Sequence, residues 1–212
     1  MDLKKAFDTV DHNILFCKLC RAGVRGKLLR VIQNLFSRNL ANVSVDGFLS
    51  PDFFINRGVL QGSKLGPILF NLFINDLLVE LNNSNLGAAI GPILIAALGF
   101  ADDIVLISDD PSKLQKLLNI CNSWAKKNLM TFKPSKYKVM ILNGSPKNVR
   151  LTLDNIVLKI VTSYRYLGVN ITSKYVTNLF KDHFQLIAEK TKIRAAAIRR
   201  LGFSKTGFRV KT

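Results

Sequence analysis

The sequence predicts an α+β protein in which an antiparallel β-sheet packs against helices, and three observations predict it. Apolar residues recur at helical spacing in several long segments, with short β-branched runs between them. The short runs are joined by hairpin signals such as Asp46-Gly47 and Asp154-Asn155 rather than by long crossovers. The 212 residues are 48% hydrophobic, enough to bury a core and too apolar for a disordered chain.

Each element follows from a local signal. Asp11 is a good N-cap, so HNILFCKLCRAG is expected to be a helix ending near Gly23. RGKLLRVIQNLFSRN reads as a second helix, with Leu28, Ile32, Leu35 and Phe36 on one face and Arg25, Lys27, Arg30 and Arg38 elsewhere. NVSVDGFLSPDFFINRGV reads as short strands turning at Asp46-Gly47. After Pro67, ILFNLFINDLLVELN is apolar on most sides, a helix for the core. LGFADDIVLIS, residues 98–108, reads as a tight hairpin with Ala101, Asp102 and Asp103 at its tip. Asp110 and Pro111 open a helix carrying Leu114, Leu117, Leu118, Cys121 and Trp124 on one stripe. KVMIL, VRLTLD, IVLKIV and YRYLGVNI are strand-like, and a basic amphipathic helix runs from about Val176 to Leu201.

Charge and cysteine content narrow the function. Thirty-one Lys and Arg against 14 Asp and Glu give a net charge of +17, which calls for a polyanionic partner, nucleic acid first. An anionic membrane fits less well, because the basic residues run along the whole chain rather than beside one apolar helix. Cys17, Cys20 and Cys121 give no disulfide framework and point to a reducing compartment. The C-K-L-C spacing of Cys17 and Cys20 lacks the further ligands that zinc needs, and reads as two small apolar residues on a helix. The longest apolar stretch, LGAAIGPILIAALGF, is interrupted by Gly and Pro and falls short of a membrane span. Charges crowd the first residues, so no signal peptide is expected and the chain reads as soluble.

Two adjacent carboxylates between apolar runs need an explanation. Asp is a common turn residue, and turn chemistry alone accounts for an isolated Ala-Asp-Asp. A second acidic segment, DLKKAFDTVDH at residues 2–12, changes the weighing. Adjacent strands of one sheet can bring Asp2 to Asp102 and Asp103, and three converging carboxylates repel unless divalent cations neutralise them. Such an oxygen-rich site suits Mg²⁺, which completes its shell from water and substrate phosphates. A basic protein that brings Mg²⁺ to phosphates is a candidate nucleotidyl transferase.

DLKKAFDTVDH, GVLQGSKLGPILFNLFINDL, FADDIVLIS, FKPSKYKVMIL and YRYLGVNI also stand in the order of the palm motifs of reverse transcriptases. Phe-Ala-Asp-Asp, and Ala-Phe-Asp-x-Val followed by Asp-His, resemble those of non-LTR (LINE-type) retrotransposons rather than the retroviral enzymes. The resemblance covers Asp2 to about Ile171. It implies an RNA-directed DNA polymerase with a palm fold, a primer-grip hairpin and the start of a helical thumb. Asp2 and Asp102 would be metal ligands, with Asp103 helping to hold two Mg²⁺ ions, for which Mn²⁺ is the substitute. Phe7 would be the steric gate against a 2′-OH. Gln61 and Gly62 would lie beside the incoming base and template, Gly62 as the residue that lets backbone approach closely. Lys136 would assist pyrophosphate departure. Tyr166, Leu167 and Gly168 would hold the primer 3′ end. Asp8 reads as a cap and Asp76 as a helix-end polar residue.

The implied partners are an RNA template, a DNA primer and dNTPs, with no membrane, and the basic tail would track the duplex backbone. The implied organisation is a palm over 1–150, a primer-grip region over 151–175 and a thumb start over 176–212. The fingers and most of the thumb of the family pattern are missing, and Met1 stands where an apolar strand residue would be. The chain therefore reads as a fragment of such an enzyme, with Asp2 at a frayed terminus. The alternative reading is a truncated, inactive remnant that retains nucleic-acid binding.

Overall fold

Helix α1 (His12–Arg21) starts where the sequence places its cap: the Asp11 carboxylate accepts from the backbone N–H groups of Asn13 and Ile14 at 3.0 and 3.2 Å. These positions come from a computed structural model describing residues 3–133, 136–142, 144, 149–174 and 178–200. The chain divides into two compact units, one from the residues described within Met1–Tyr137 and Val149–Leu158, the other from those within Lys138–Asn148 and Lys159–Thr212. Packing draws these units, whereas motifs draw the palm, grip and thumb segments, and the two divisions cut the chain at different places.

In the first unit, α2 (Gly26–Ser37) packs on α1 through Ile32 and Phe36. Leu28 and Leu35, expected on the same buried face, are 59% and 57% exposed. At 3.6 residues per turn both lie on the far side of Ile32 from Phe36, so a contact centred on Ile32 and Phe36 leaves them in solvent. Strand β1 (Leu40–Ala41) pairs with β4 (Phe53–Phe54). Between them, β2 (Ser44–Val45) and β3 (Phe48–Leu49) form a hairpin. Asp46 and Gly47 turn it with φ of +49° and +85°, as the Asp-Gly signal predicts.

Helix α3 (Leu65–Asn82) is the spine of the core. Leu69, Phe70, Phe73, Ile74, Leu77 and Leu81 are buried against neighbours that include α1. It begins two residues before Pro67, which is tolerated in a first turn because no intrahelical N–H bond is required there. By length and composition α3 alone among the described helices is apolar enough to cross a membrane; the reason for its apolarity here is packing.

Strands β5 (Ala88–Ile90) and β6 (Ile93–Ile95) form a hairpin that the sequence reading leaves unassigned, turning at Gly91 with φ +59°. The Asn82 side chain ties the next segment to the end of α3. Its Oδ1 accepts from the N–H groups of Ala96 and Ala97, and its Nδ2 donates to the Ala97 carbonyl. Strand β7 (Ala97–Phe100) packs on α3 and pairs with β8 (Asp103–Leu106). Helix α4 (Pro111–Lys127) is capped by Asp110 and buries Leu117, Leu118, Cys121 and Trp124. Beyond β9 (Lys138–Val139), which belongs to the second unit, β10 (Thr152–Leu153) and β11 (Ile156–Val157) return to the first. Gln115 of α4 exchanges two hydrogen bonds with the Thr152 backbone.

In the second unit, β9 runs parallel to β12 (Lys159–Ile160), and β13 (Ser163–Tyr166) pairs with β14 (Val169–Thr172). Helix α5 (Lys181–Arg200) packs on β14 and begins later than the expected Val176. The single antiparallel sheet expected from the sequence is instead distributed over seven two-stranded pairs among the described residues, one of them parallel. Its pieces are two to four residues long, and tight turns with positive φ at Asp46-Gly47, Ala101, Asp154-Asn155 and Leu167-Gly168 close four of the hairpins.

Candidate active site

The Ala-Asp-Asp hairpin has a two-residue tip. Phe100 faces Asp103 across β7 and β8, so Ala101 and Asp102 make the turn. Ala101 takes φ +51°, a left-handed conformation costing roughly 1–2 kcal/mol for a residue with a Cβ. Fully buried Ile104 anchors the strand that follows. Asp102 is half-buried and lines a cleft of about 340 Å³, and Asp103 is exposed at the first position of β8.

The segment after Asp2 forms another wall. Leu3 bridges Phe132, and the Lys4 N–H donates to the Thr131 carbonyl at 2.9 Å. On its other side, the Val59 N–H donates to the Phe7 carbonyl at 2.7 Å and the Gly58 N–H to the Val10 carbonyl at 2.8 Å. Gly58 has φ +94°, and a Cβ there would lie 2.9 Å from the Asp8 backbone, so this close approach demands glycine. Leu3, Ala6 and Val10 are buried, which holds the segment by packing as well as by hydrogen bonds.

Of the site residues expected from sequence, Asp102, Phe7, Gln61 and Lys136 line the one cleft. The Phe7 ring stacks on the buried Phe70 ring of α3, centroids 4.6 Å apart and 20° from parallel. Gln61 Nε2 donates to Asp8 Oδ1 at 3.3 Å. Gly62 does not line the cleft: its surroundings are open, and its φ of +82°, not a close approach, is what favours glycine. Tyr166 ends β13 in the second unit, and Leu167 and Gly168 make the following turn with φ of +46° and +84°. Asp2 lies outside the described residues; its chain neighbour Leu3 lines the cleft.

Two acidic residues do other work than the sequence suggests. The α1 cap is Asp11, and Asp8 instead receives Gln61. Asp76 is inside α3 rather than at its end, and its carboxylate accepts from Lys18 Nζ at 2.8 Å and Trp124 Nε1 at 2.9 Å. Lys18 also donates to the Phe73 carbonyl at 2.7 Å, with its ammonium over the Phe73 and Trp124 rings. Burial pushes the Lys18 pKa below its ordinary value, against the opposing pull of Asp76. This cluster ties α1, α3 and α4 together. The 3.6-residue pattern gave no sign of it, since a buried lysine looks like a solvated one in sequence.

Among the described residues no three His, Cys, Asp or Glu side chains gather to hold a metal ion. Asp102 and Asp103 nonetheless offer carboxylate oxygens on one hairpin, the donor chemistry that hard divalent cations take. The other charged residues lining the cleft are Lys4, Lys5, Lys133 and Lys136. Only Lys136 was singled out from sequence. The adjacent Lys4-Lys5 pair is the sequence signal for two of the others.

The chain belongs to a known class. Residues 1–171 match the family model for reverse transcriptase (RNA-dependent DNA polymerase), and the chain belongs to that family, whose domain has a palm fold and which generally uses divalent metal ions. Within it the chain is of the non-LTR retrotransposon type. It is 28% identical over 183 residues to the Retrovirus-related Pol polyprotein from the type-1 retrotransposable element R2 of Popillia japonica, covering 82% of this chain and 30% of that protein. It is 31% identical over 183 residues to the Pol polyprotein from the type-2 element R2DM of Drosophila melanogaster, covering 82% and 17%. The RNA-directed DNA polymerase from mobile element jockey of Drosophila funebris is 31% identical over 176 residues, covering 80% and 19%. The chain thus spans less than a third of the length of these relatives.

Proposed function

We propose that this chain is the polymerase palm of an RNA-directed DNA polymerase, which adds deoxynucleotides to a primer 3′-OH on an RNA template. The observation that carries the reading is the convergence of Phe7, Gln61, Asp102 and Lys136, far apart in sequence, on one cleft. Asp2, Asp102 and Asp103 would hold two Mg²⁺ ions, with Mn²⁺ as substitute. When bound, such ions neutralise charge on the attacking and leaving oxygens of an in-line phosphoryl displacement.

The protein residues take the remaining tasks. Phe7, held flat by Phe70, presents an aromatic edge that excludes a 2′-OH and so selects dNTPs. Gln61 flanks the nucleotide, with Gly62 turning the loop beside it. Lys136 assists pyrophosphate departure, its ammonium offsetting the negative charge of the leaving group. Tyr166, Leu167 and Gly168 are the primer grip, and the basic α5 opens the thumb and follows the template–primer phosphates. The palm over 1–150, the grip over 151–175 and the thumb start over 176–212 are the functional divisions on this reading.

Primer extension on a poly-A RNA template with dTTP and Mg²⁺ tests it, comparing the chain with Asp102→Asn. Extension that disappears in the variant is the expected result. The net charge of +17 favours a second reading, a binding remnant without turnover. Salt-sensitive duplex binding without extension by either protein would select that reading and overturn the first.

A further inference from the structure

Asp11 and His12 close the acidic segment DLKKAFDTVDH, and the polymerase reading gives His12 no task. Asp11 caps α1, whereas the His12 side chain reaches a different segment. Its Nε2 lies 2.8 Å from the carbonyl oxygen of Gly58. A carbonyl can only accept, so the ring carries its proton on Nε2 and donates. The ring is itself held in place. Phe36 of α2 meets it edge-on with centroids 4.6 Å apart, and Phe16 lies 6.2 Å from it and 5.9 Å from Phe36. His12 therefore joins α1, α2 and the segment around Gly58 at one point.

Gly58 fastens the loop that follows it to the segment after Asp2. Its N–H donates to the Val10 carbonyl at 2.8 Å, and its own carbonyl accepts from His12. The next N–H, that of Val59, donates to the Phe7 carbonyl at 2.7 Å. Two residues beyond Val59 stands Gln61, which lines the same cleft as Phe7. A short ladder of hydrogen bonds thus runs between these two cleft residues, and His12 closes its far end. Magnitudes separate His12 from the neighbouring Arg57–Asp11 ion pair. That pair spans 3.7 Å with an exposed guanidinium, a geometry that contributes little in water. Gly58 is buried, and an acceptor there that loses its donor carries the full desolvation penalty.

We infer that His12 is a positioning residue for the cleft: through the Gly58 carbonyl it holds the loop bearing Gln61 in register with the segment bearing Phe7. The inference rests on the polymerase reading, in which Gln61 and Phe7 both flank the incoming nucleotide. Gln61 then meets the nucleotide before and during reaction alike, so loosening its loop weakens nucleotide binding rather than the chemical step. A purely structural role has the opposite signature, because a smaller folded fraction lowers kcat and leaves KM alone.

Two substitutions separate the ring from the donor. His12→Phe keeps an aromatic ring beside Phe16 and Phe36 without an N–H, and His12→Gln keeps an N–H without the ring. Amide hydrogen exchange on the full chain reads the loop without turnover. In His12→Phe the Gly58 and Val59 N–H groups should exchange about tenfold faster, with those of α4 unchanged. In extension on poly-A RNA, the same variant should raise KM for dTTP about tenfold and keep kcat within about twofold. His12→Gln should restore both readouts toward the parent, and Arg57→Ala should leave both near it. The inference is overturned if His12→Phe exchanges at Gly58 and Val59 like the parent, or if the α4 amides speed up equally. It is also overturned if kcat falls while KM holds, or if His12→Gln is as impaired as His12→Phe. Faster exchange with an unchanged KM removes the positioning role and leaves the polymerase reading standing. A parent that does not extend sinks the polymerase reading instead, and exchange at Gly58 and Val59 then decides on its own whether His12 holds the loop.

Discussion

Replacing Asp76 with Asn changes one charge in the Lys18 cluster while keeping its shape. Lys18 is 9% exposed and Asp76 50%, so the cation depends on its partner more than the carboxylate does. Three hydrogen bonds to Asp76 Oδ1, from Lys18, Trp124 and the Leu77 backbone N–H, would pass from a charged to a neutral acceptor. A charged bond contributes roughly 1.5–3 kcal/mol and a neutral one 0.5–1.5, and half-exposure of Asp76 screens part of the difference. The expected cost is about 1–2 kcal/mol at neutral pH, read as a lower urea midpoint.

The pH dependence isolates the mechanism. Burial already depresses the folded-state pKa of Lys18 below 10.5, so the folded chain binds fewer protons than the unfolded one between the lowered value and 10.5. Stability from this group therefore rises with pH across that window. Asp76→Asn removes the influence that opposes the depression, extending the window to lower pH. The deficit of the variant should shrink toward pH 10.5 as Lys18 becomes neutral in the folded state. A deficit that stays constant across that range would refute the charge argument and assign the loss to the Trp124 and Leu77 contacts.

Three further outcomes are expected. Phe7→Val should raise incorporation of rNTPs relative to dNTPs by at least about tenfold, since it removes the ring stacked on Phe70; an unchanged ratio would remove Phe7 from the selectivity device. Gly58→Ala should cost about 1–3 kcal/mol in urea unfolding, because the new Cβ meets the Asp8 backbone at 2.9 Å on a left-handed φ; an unchanged midpoint would mean the segment yields freely. Burial pushes the Cys121 thiol up to about 12, so at pH 8 it stays protonated and native alkylation should modify exposed Cys17 while sparing Cys121 until the chain is unfolded, as mass spectrometry would show.

Much of the architecture was legible because its signals are local. Asp11 and Asp110 cap the helices they precede, since a side-chain oxygen two or three residues from a free N–H needs no tertiary help. Asp46-Gly47 and Asp154-Asn155 turn where their left-handed tolerance allows. The β5–β6 hairpin was not legible, because a continuous apolar run carries neither a helical nor an alternating period. Leu28 and Leu35 show the same limit on α2: an apolar stripe says which residues can be buried, and only the neighbouring helix decides which are.

The site divides along the same line. The ordered motifs, among them Ala-Phe-Asp, Gln-Gly, Ala-Asp-Asp and FKPSKYKVMIL, by themselves pointed to the family and nominated Phe7, Gln61, Asp102 and Lys136, because each motif is a run of adjacent residues whose type and order a sequence displays directly. Sequence could not decide that these four share a cleft while Gly62 lies outside it, nor that Asp76 serves a buried lysine. Nor could it decide that Lys4, Lys5 and Lys133 stand at the same edge as Lys136. Those facts depend on contacts between residues up to about 130 positions apart, fixed by the Leu3–Phe132 bridge, the Gly58 approach and the core around α3. Hydrogen bonding within a few residues writes itself into a sequence, whereas a contact closed across the chain exists only once the core has packed.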